Sequence, residues 1–154
     1  MSKKVNLEKL IREMESQFQE WTYYLHLESG SVVMIANDIL FKAEDEEPIE
    51  ELEEWEQTEY AVAQDILEHP TSYLELPDKE EFNEYRMMES FCYSLEDEHT
   101  RQRLLTAIQG QGAFRRFKDQ LGAVGKRDEW FSFRKEGYRD FALEWCEENN
   151  VEYE

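Results

Sequence analysis

At 154 residues the chain is long enough to form a core without disulfides or a structural metal. Its 37 Asp and Glu against 17 Lys and Arg give a net charge of −20, which repels bulk nucleic acid and anionic membranes. No stretch approaches the roughly 18–20 apolar residues of a membrane span, and the N-terminus reads as an amphipathic segment rather than a leader, so a cytoplasmic location is expected.

The charge is unevenly spread. From His99 to Arg139 there are ten Lys and Arg and four acids, a net of +6. Between Glu44 and Glu59 there are ten acids and no basic residue. The simplest reading of that acidic segment is a solvated helix face; a surface for a basic partner is the functional one. Cys92 and Cys146 lack metal-ligand spacing and are expected to be buried, reduced thiols.

In chain order, Asn6 is a candidate N-cap for a leading helix within residues 1–20. Its apolar face is Leu7, Leu10, Ile11, Met14 and Phe18. Thr22–Glu28 alternates, Ser29-Gly30 supplies a turn, and Ser31–Ile35 is a β-branched return, so 22–35 is expected to be a hairpin. Asn37–Glu47 reads as a connector. Pro48 is suited to open an acidic helix over 48–68, with Ile49, Leu52, Tyr60, Ala63 and Leu67 on its buried face. Residues 72–76 are expected to pair with the hairpin as a third strand.

A helical region is expected over 78–149. Asp78 and Glu81 form a capping-box-like start, and Phe82, Tyr85, Met88, Cys92 and Leu95 mark the inner face. A further helix starts at Glu96–Glu98, is held by Leu104, Leu105 and Ile108, and stops at Gly110. After the Gly110–Gly112 turn, a short helix through Phe114, Phe117 and Leu121 should end at Gly122 and Gly125. Asp128 is expected to cap the last helix, with Trp130, Phe133, Gly137, Phe141 and Trp145 facing the core. With no linker or repeat, 1–154 reads as a single domain. The class is α+β: a small antiparallel sheet (hairpin plus a short third strand) packed against five or six helices.

The turn carries the densest chemistry. Glycines let a backbone approach an anion, and a helix N-terminus presents free N–H groups. Arg115, Arg116 and Lys118 add cationic donors suited to phosphate. Gly110, Gly112, Arg115, Arg116 and Lys118 are therefore the candidate ligand-binding residues. The plainer alternative is a tight helix–helix turn whose arginines meet acids elsewhere, for example Arg115 with Asp119. Glu96-x-x-His99 has half the spacing of a carboxylate-bridged metal pair, but no second copy exists and its place at a helix start favours a capping role. The sequence shows no metal site, cofactor fingerprint, nucleophile elbow or phosphate loop.

Several stretches resemble one bacterial group, uncharacterised protein family 0158. They are Tyr85-Arg86-Met87-Met88-Glu89, Ser94-Leu95-Glu96-Asp97-Glu98, the run from Ile108 through Gly110, Gly112 and Ala113-Phe114-Arg115-Arg116-Phe117-Lys118-Asp119, and Trp145-Cys146-Glu147-Glu148-Asn149. The hairpin Tyr24–Ile35 also fits, and the likeness runs from about Glu20 onward. It implies a bacterial, intracellular protein with no assigned activity.

The expected function is a small cytoplasmic binding or regulatory module whose partner is a protein or an anionic small molecule. One alternative is an enzyme acting on a phosphorylated small molecule, with Glu84 or Glu89 as general base. Another is RNA or DNA contact through the basic half, which the net charge disfavours.

Overall fold

Hydrophobic periodicity sets the helices, and their caps are visible in the computed structural model, which describes residues 4–154. The described chain divides into two units. One runs up to Asp78 and includes Glu144–Glu154; the other is Lys79–Leu143. The second unit holds 12 Lys and Arg and 12 Asp and Glu, so the whole net charge of −20 resides in the first.

The first unit is α+β. Helix α1 (Leu7–Glu15) starts at Asn6, whose side chain accepts the Lys9 N–H at 3.0 Å, and buries Leu7, Leu10, Ile11 and Met14. It stops three residues short of Phe18, which is 67% exposed rather than a core contact. The chain turns there: the Phe18 N–H donates to the Tyr23 hydroxyl and the Trp21 N–H to the Phe18 carbonyl.

Strands β1 (Trp21–His26) and β2 (Ser31–Ala36) form the expected antiparallel hairpin, with Tyr24 opposite Val33. Gly30 closes it at φ +72°. Strand β3 (Tyr73–Glu75) pairs antiparallel with β1, giving the order β2-β1-β3. Tyr23, Leu25 and Ile35 are buried, as alternation requires.

Asn37–Glu47 is not a simple connector. Helix α2 (Asn37–Glu44) occupies most of it, because Ile39 and Ala43 sit one turn apart and both bury. The Asn37 side chain anchors its start, donating to the Gln19 carbonyl at 2.8 Å and accepting from the Thr22 hydroxyl at 2.5 Å.

The acidic helix is also shorter than expected. A 3-10 turn at Ile49–Glu51 precedes a break, and helix α3 spans Glu54–Glu68. Continuing a helix through Glu46, Glu47, Glu50, Glu51 and Glu54 would stack like charges at i,i+4. The break instead buries Leu52. The buried face of α3 is Glu56, Tyr60, Ala63 and Ile66, while Leu67 is 41% exposed. Glu56 meets Lys42 of α2 at 3.2 Å.

At the far end of the chain, Val5 bridges Tyr153 in parallel, with N–H···O distances of 2.9 Å to and from Glu152 and Glu154.

The second unit is helical: α4 (Lys79–Phe82), α5 (Glu84–Ser94), α6 (Glu98–Ala107), α7 (Ala113–Val124) and α8 (Arg127–Glu148), whose last residues belong to the first unit. The single helix expected after Asp78 is split at Asn83, which takes φ +56° and caps α5 by accepting the Arg86 N–H at 3.2 Å. Asp97 caps α6 through the Thr100 N–H at 3.0 Å and the Thr100 hydroxyl at 2.5 Å.

The core of this unit is Met88, Phe91, Cys92, Leu95, Leu104, Ile108, Ala113, Phe117, Leu121 and Trp130. Phe91, Phe117 and Trp130 meet edge to face, with centroids 4.9–6.3 Å apart.

Phe114 is 47% exposed, because α7 buries Ala113, Phe117 and Leu121 at steps of four. Gly122 lies inside α7, and Gly125, at φ +70°, ends it. Asp128 lies within the first turn of α8 rather than before it. The fully buried positions of α8 are Trp130, Tyr138, Ala142 and Cys146, with Phe133, Gly137, Phe141 and Trp145 only partly covered. Tyr85 on α5 is only partly covered, at 37% exposed, and its hydroxyl donates to the Ile108 carbonyl at 2.9 Å.

Candidate functional site: the α6–α7 turn and groove

The glycine turn joins two helices whose ends must be satisfied. The last carbonyls of α6 have no intrahelical donors. Ile108 ends the helix, and Gly110 takes φ +73°, a region that costs glycine nothing. The free carbonyls are then met by side chains. Arg116 donates Nε to the Ala107 carbonyl at 2.9 Å, Nη2 to the Gln109 carbonyl and Nη1 to the Gln111 carbonyl. Tyr85 supplies the Ile108 carbonyl. The guanidinium also lies where a cation favours the negative end of the α6 dipole.

Arg116 is therefore a clasp on the C-terminus of α6. Gly112, the N-cap of α7, has φ +76° and no side chain to close that helix end. A Cβ there would stand 3.1 Å from Arg116 Nη1, so the glycine also makes room for the clasp.

Arg115 and Lys118 take a different position. Both are exposed on α7, and among the described residues neither is in a salt bridge. The Arg115–Asp119 pair that helix spacing allows is not formed. Of the two readings, the alternative in which the arginines meet acids elsewhere is not seen: Arg116 lies on backbone carbonyls, and Arg115 is exposed with no salt bridge. Phe114 is exposed next to Arg115 in sequence.

Arg116 also borders a groove between α6 and α7 of about 620 Å³, lined by His99, Gln102, Arg103, Thr106, Ala107, Arg116 and Gln120. Among the described residues its lining contains two arginines and a histidine, with no carboxylate and no Phe, Tyr or Trp. Arg103 crosses it, donating Nε to Gln120 Oε1 at 2.5 Å, which leaves the two terminal guanidinium nitrogens uncommitted.

His99, Gln102, Arg103 and Thr106 were not singled out as a binding face by the sequence. Their signal is present in retrospect, because steps of 3, 1 and 3 place four polar residues along one side of α6. Arg116 and Gln120 sit one turn apart on α7 in the same way.

The remaining candidates lie elsewhere. Among the described residues no group of three or more His, Cys, Asp or Glu could hold a metal. At the start of α6 the capping side chain is Asp97, one residue after Glu96. Glu84 accepts from Arg134 Nε at 2.7 Å, and neither Glu84 nor Glu89 lines the groove, so no carboxylate is placed there as a base. Burial pushes the Cys92 thiol up to about 11 and raises Cys146 as well, and both are free and buried. No helix among the described residues is long and apolar enough to cross a membrane.

This is an α+β protein in which a charge-neutral helical unit presents a cationic, acid-free groove beside a glycine turn. The model of the uncharacterised protein family UPF0158 matches residues 3–154, and the chain belongs to that family, which has no assigned activity. A stretch of 67 residues is 28% identical to the UPF0158 protein PA5073 of Pseudomonas aeruginosa strain PAO1. That match covers 43% of this chain and 44% of the relative, less than half of either. No solved structure matches the chain.

Proposed function

We propose that the protein is a cytoplasmic binding module that holds an anionic group against the α6–α7 face of its second unit. The observation that carries the reading is Arg103. Its guanidinium is positioned across the groove by a neutral amide, with Arg116 and His99 alongside and no acid among the lining residues. A guanidinium with free terminal donors presents the fork that matches carboxylate and phosphate oxygens.

In this reading Gly110 and Gly112 shape the turn and Arg116 holds it. Arg115 and Lys118 add positive potential on the exposed face of α7. The acidic first unit sets a long-range repulsion, and within about one Debye length, roughly 8 Å at physiological salt, the local cations prevail. Small anions meet that repulsion less severely than a polyanion does. Two free, buried thiols of raised pKa accord with a reducing compartment.

The test is a thermal-shift panel of inorganic phosphate, phosphosugars, nucleotides and short oligonucleotides on the full chain and on Arg103→Ala. A ligand at 100 times its dissociation constant adds about 2.7 kcal/mol, a rise of several degrees. A rise with small anions that disappears in Arg103→Ala is expected. A flat panel, or a rise that survives the substitution, would overturn the reading.

A further inference from the structure

We infer that the α6–α7 groove is built for a small phosphorylated polyol or sugar rather than for bare phosphate, an inference that rests on the binding reading above. The groove, of about 620 Å³ and open to solvent along its length, has room for more than one phosphate. The anionic end is set by Arg103, whose Nε is committed to Gln120 and whose terminal nitrogens point to no protein partner.

The rest of the lining decides what the phosphate is attached to. The Thr106 hydroxyl gives its proton to the Gln102 carbonyl at 2.9 Å, so its oxygen faces a ligand as an acceptor. Gln120 uses its carbonyl oxygen on Arg103 and keeps its amide protons. Gln102 contributes a side-chain amide with both a donor and an acceptor. Donors and acceptors interleaved over a few ångströms complement hydroxyl groups, which are both at once.

A nucleobase asks for something else, a flat aromatic platform or a stacking guanidinium. The lining has no ring besides the His99 imidazole. The aliphatic stems of the arginines and glutamines, with Ala107, offer the apolar surface against which sugar C–H groups pack.

The experiment is calorimetric titration of the full chain with glucose 6-phosphate, inorganic phosphate and adenosine monophosphate. Arg103→Ala and Gln102→Ala follow, both at exposed positions, with circular dichroism confirming that each variant is folded. Two or three added hydrogen bonds should make glucose 6-phosphate bind about tenfold or more tighter than inorganic phosphate. Arg103→Ala should abolish binding of both, and Gln102→Ala should weaken only the sugar phosphate.

Equal affinity for inorganic and sugar phosphate, both lost in Arg103→Ala, would overturn the ligand class and leave the anion site standing. Tighter binding of adenosine monophosphate would overturn it in favour of a nucleotide. No binding of any probe, or binding indifferent to Arg103→Ala, would overturn the site as well.

Discussion

Removing the Arg116 clasp separates the structural from the ligand-facing arginines. Arg116→Ala deletes three charge-assisted bonds to the carbonyls of Ala107, Gln109 and Gln111. Only the Ala107 bond is part-buried, and the other two are exposed and can be replaced by water. One part-buried bond to a charged group contributes about 1.5–3 kcal/mol. The favourable placement at the α6 C-terminus adds about 0.3–1 kcal/mol. With the exposed pair counted near zero, the expected loss is about 2–4 kcal/mol.

In a chain of 154 residues each kcal/mol moves the melting temperature by about 2–4 °C, so a drop of about 4–16 °C is expected. Arg115→Ala, at an exposed position with no salt bridge, should stay within about 0.5 kcal/mol. Urea unfolding followed by circular dichroism measures both. Equal stability of the two variants would refute the assignment of Arg116 as a clasp.

Other consequences follow from the same geometry. Gly112→Ala places a Cβ at φ +76° and 3.1 Å from Arg116 Nη1, so a loss of about 1–2 kcal/mol is expected; it should shrink in an Arg116→Ala background, as a double-mutant cycle would show.

Burial, and then the 2.5 Å hydrogen bond to Asp65, push the Tyr73 hydroxyl up from 10.0 to about 12, while that bond draws the Asp65 carboxyl below its usual value. The Tyr73 contribution to stability is present below its ordinary pKa and is lost as the pH rises from 10 to about 12. The Asp65 contribution is present above its ordinary pKa and is lost as the pH falls through its lowered one. In Asp65→Asn the phenolate absorbance of Tyr73, isolated by difference against Tyr73→Phe, should titrate below 12; an unchanged midpoint would contradict this coupling.

Cys92 and Cys146 should resist a thiol reagent in the native protein and react once it is denatured, and rapid native labelling of either would contradict their burial.

The hairpin and its third strand were legible because alternation in a sheet has one solution, and Ser29-Gly30 fixes where it turns. Helix faces were less so. Apolar residues surround α8, with Trp130, Phe131, Phe133, Tyr138, Phe141 and Trp145 permitting more than one stripe; Trp130 and Phe133 pack at the core as expected, while the most buried later positions, Tyr138, Ala142 and Cys146, lie one residue on from Gly137, Phe141 and Trp145. Ile66 and Leu67 present the same ambiguity on α3, resolved by packing against Ile35, Ile39 and Ala43. Breaks at Leu52–Glu53 and Asn83 come from charge repulsion and a left-handed residue, which periodicity does not register.

At the site, the sequence located the turn and its cations but not their division of labour. The partners of Arg116 are backbone carbonyls, which no side-chain pattern encodes. The α6 lining of the groove reads in isolation as an ordinary solvated face. Only the apposition of α7 makes it concave.

The central claim, that this groove holds an anionic ligand, is tested most directly by a proton–nitrogen correlation spectrum of the full chain during titration with inorganic phosphate. Saturable shifts concentrated at amides of His99–Ala107 and Arg116–Gln120 are expected. Shifts scattered over the acidic first unit, or none, would contradict it.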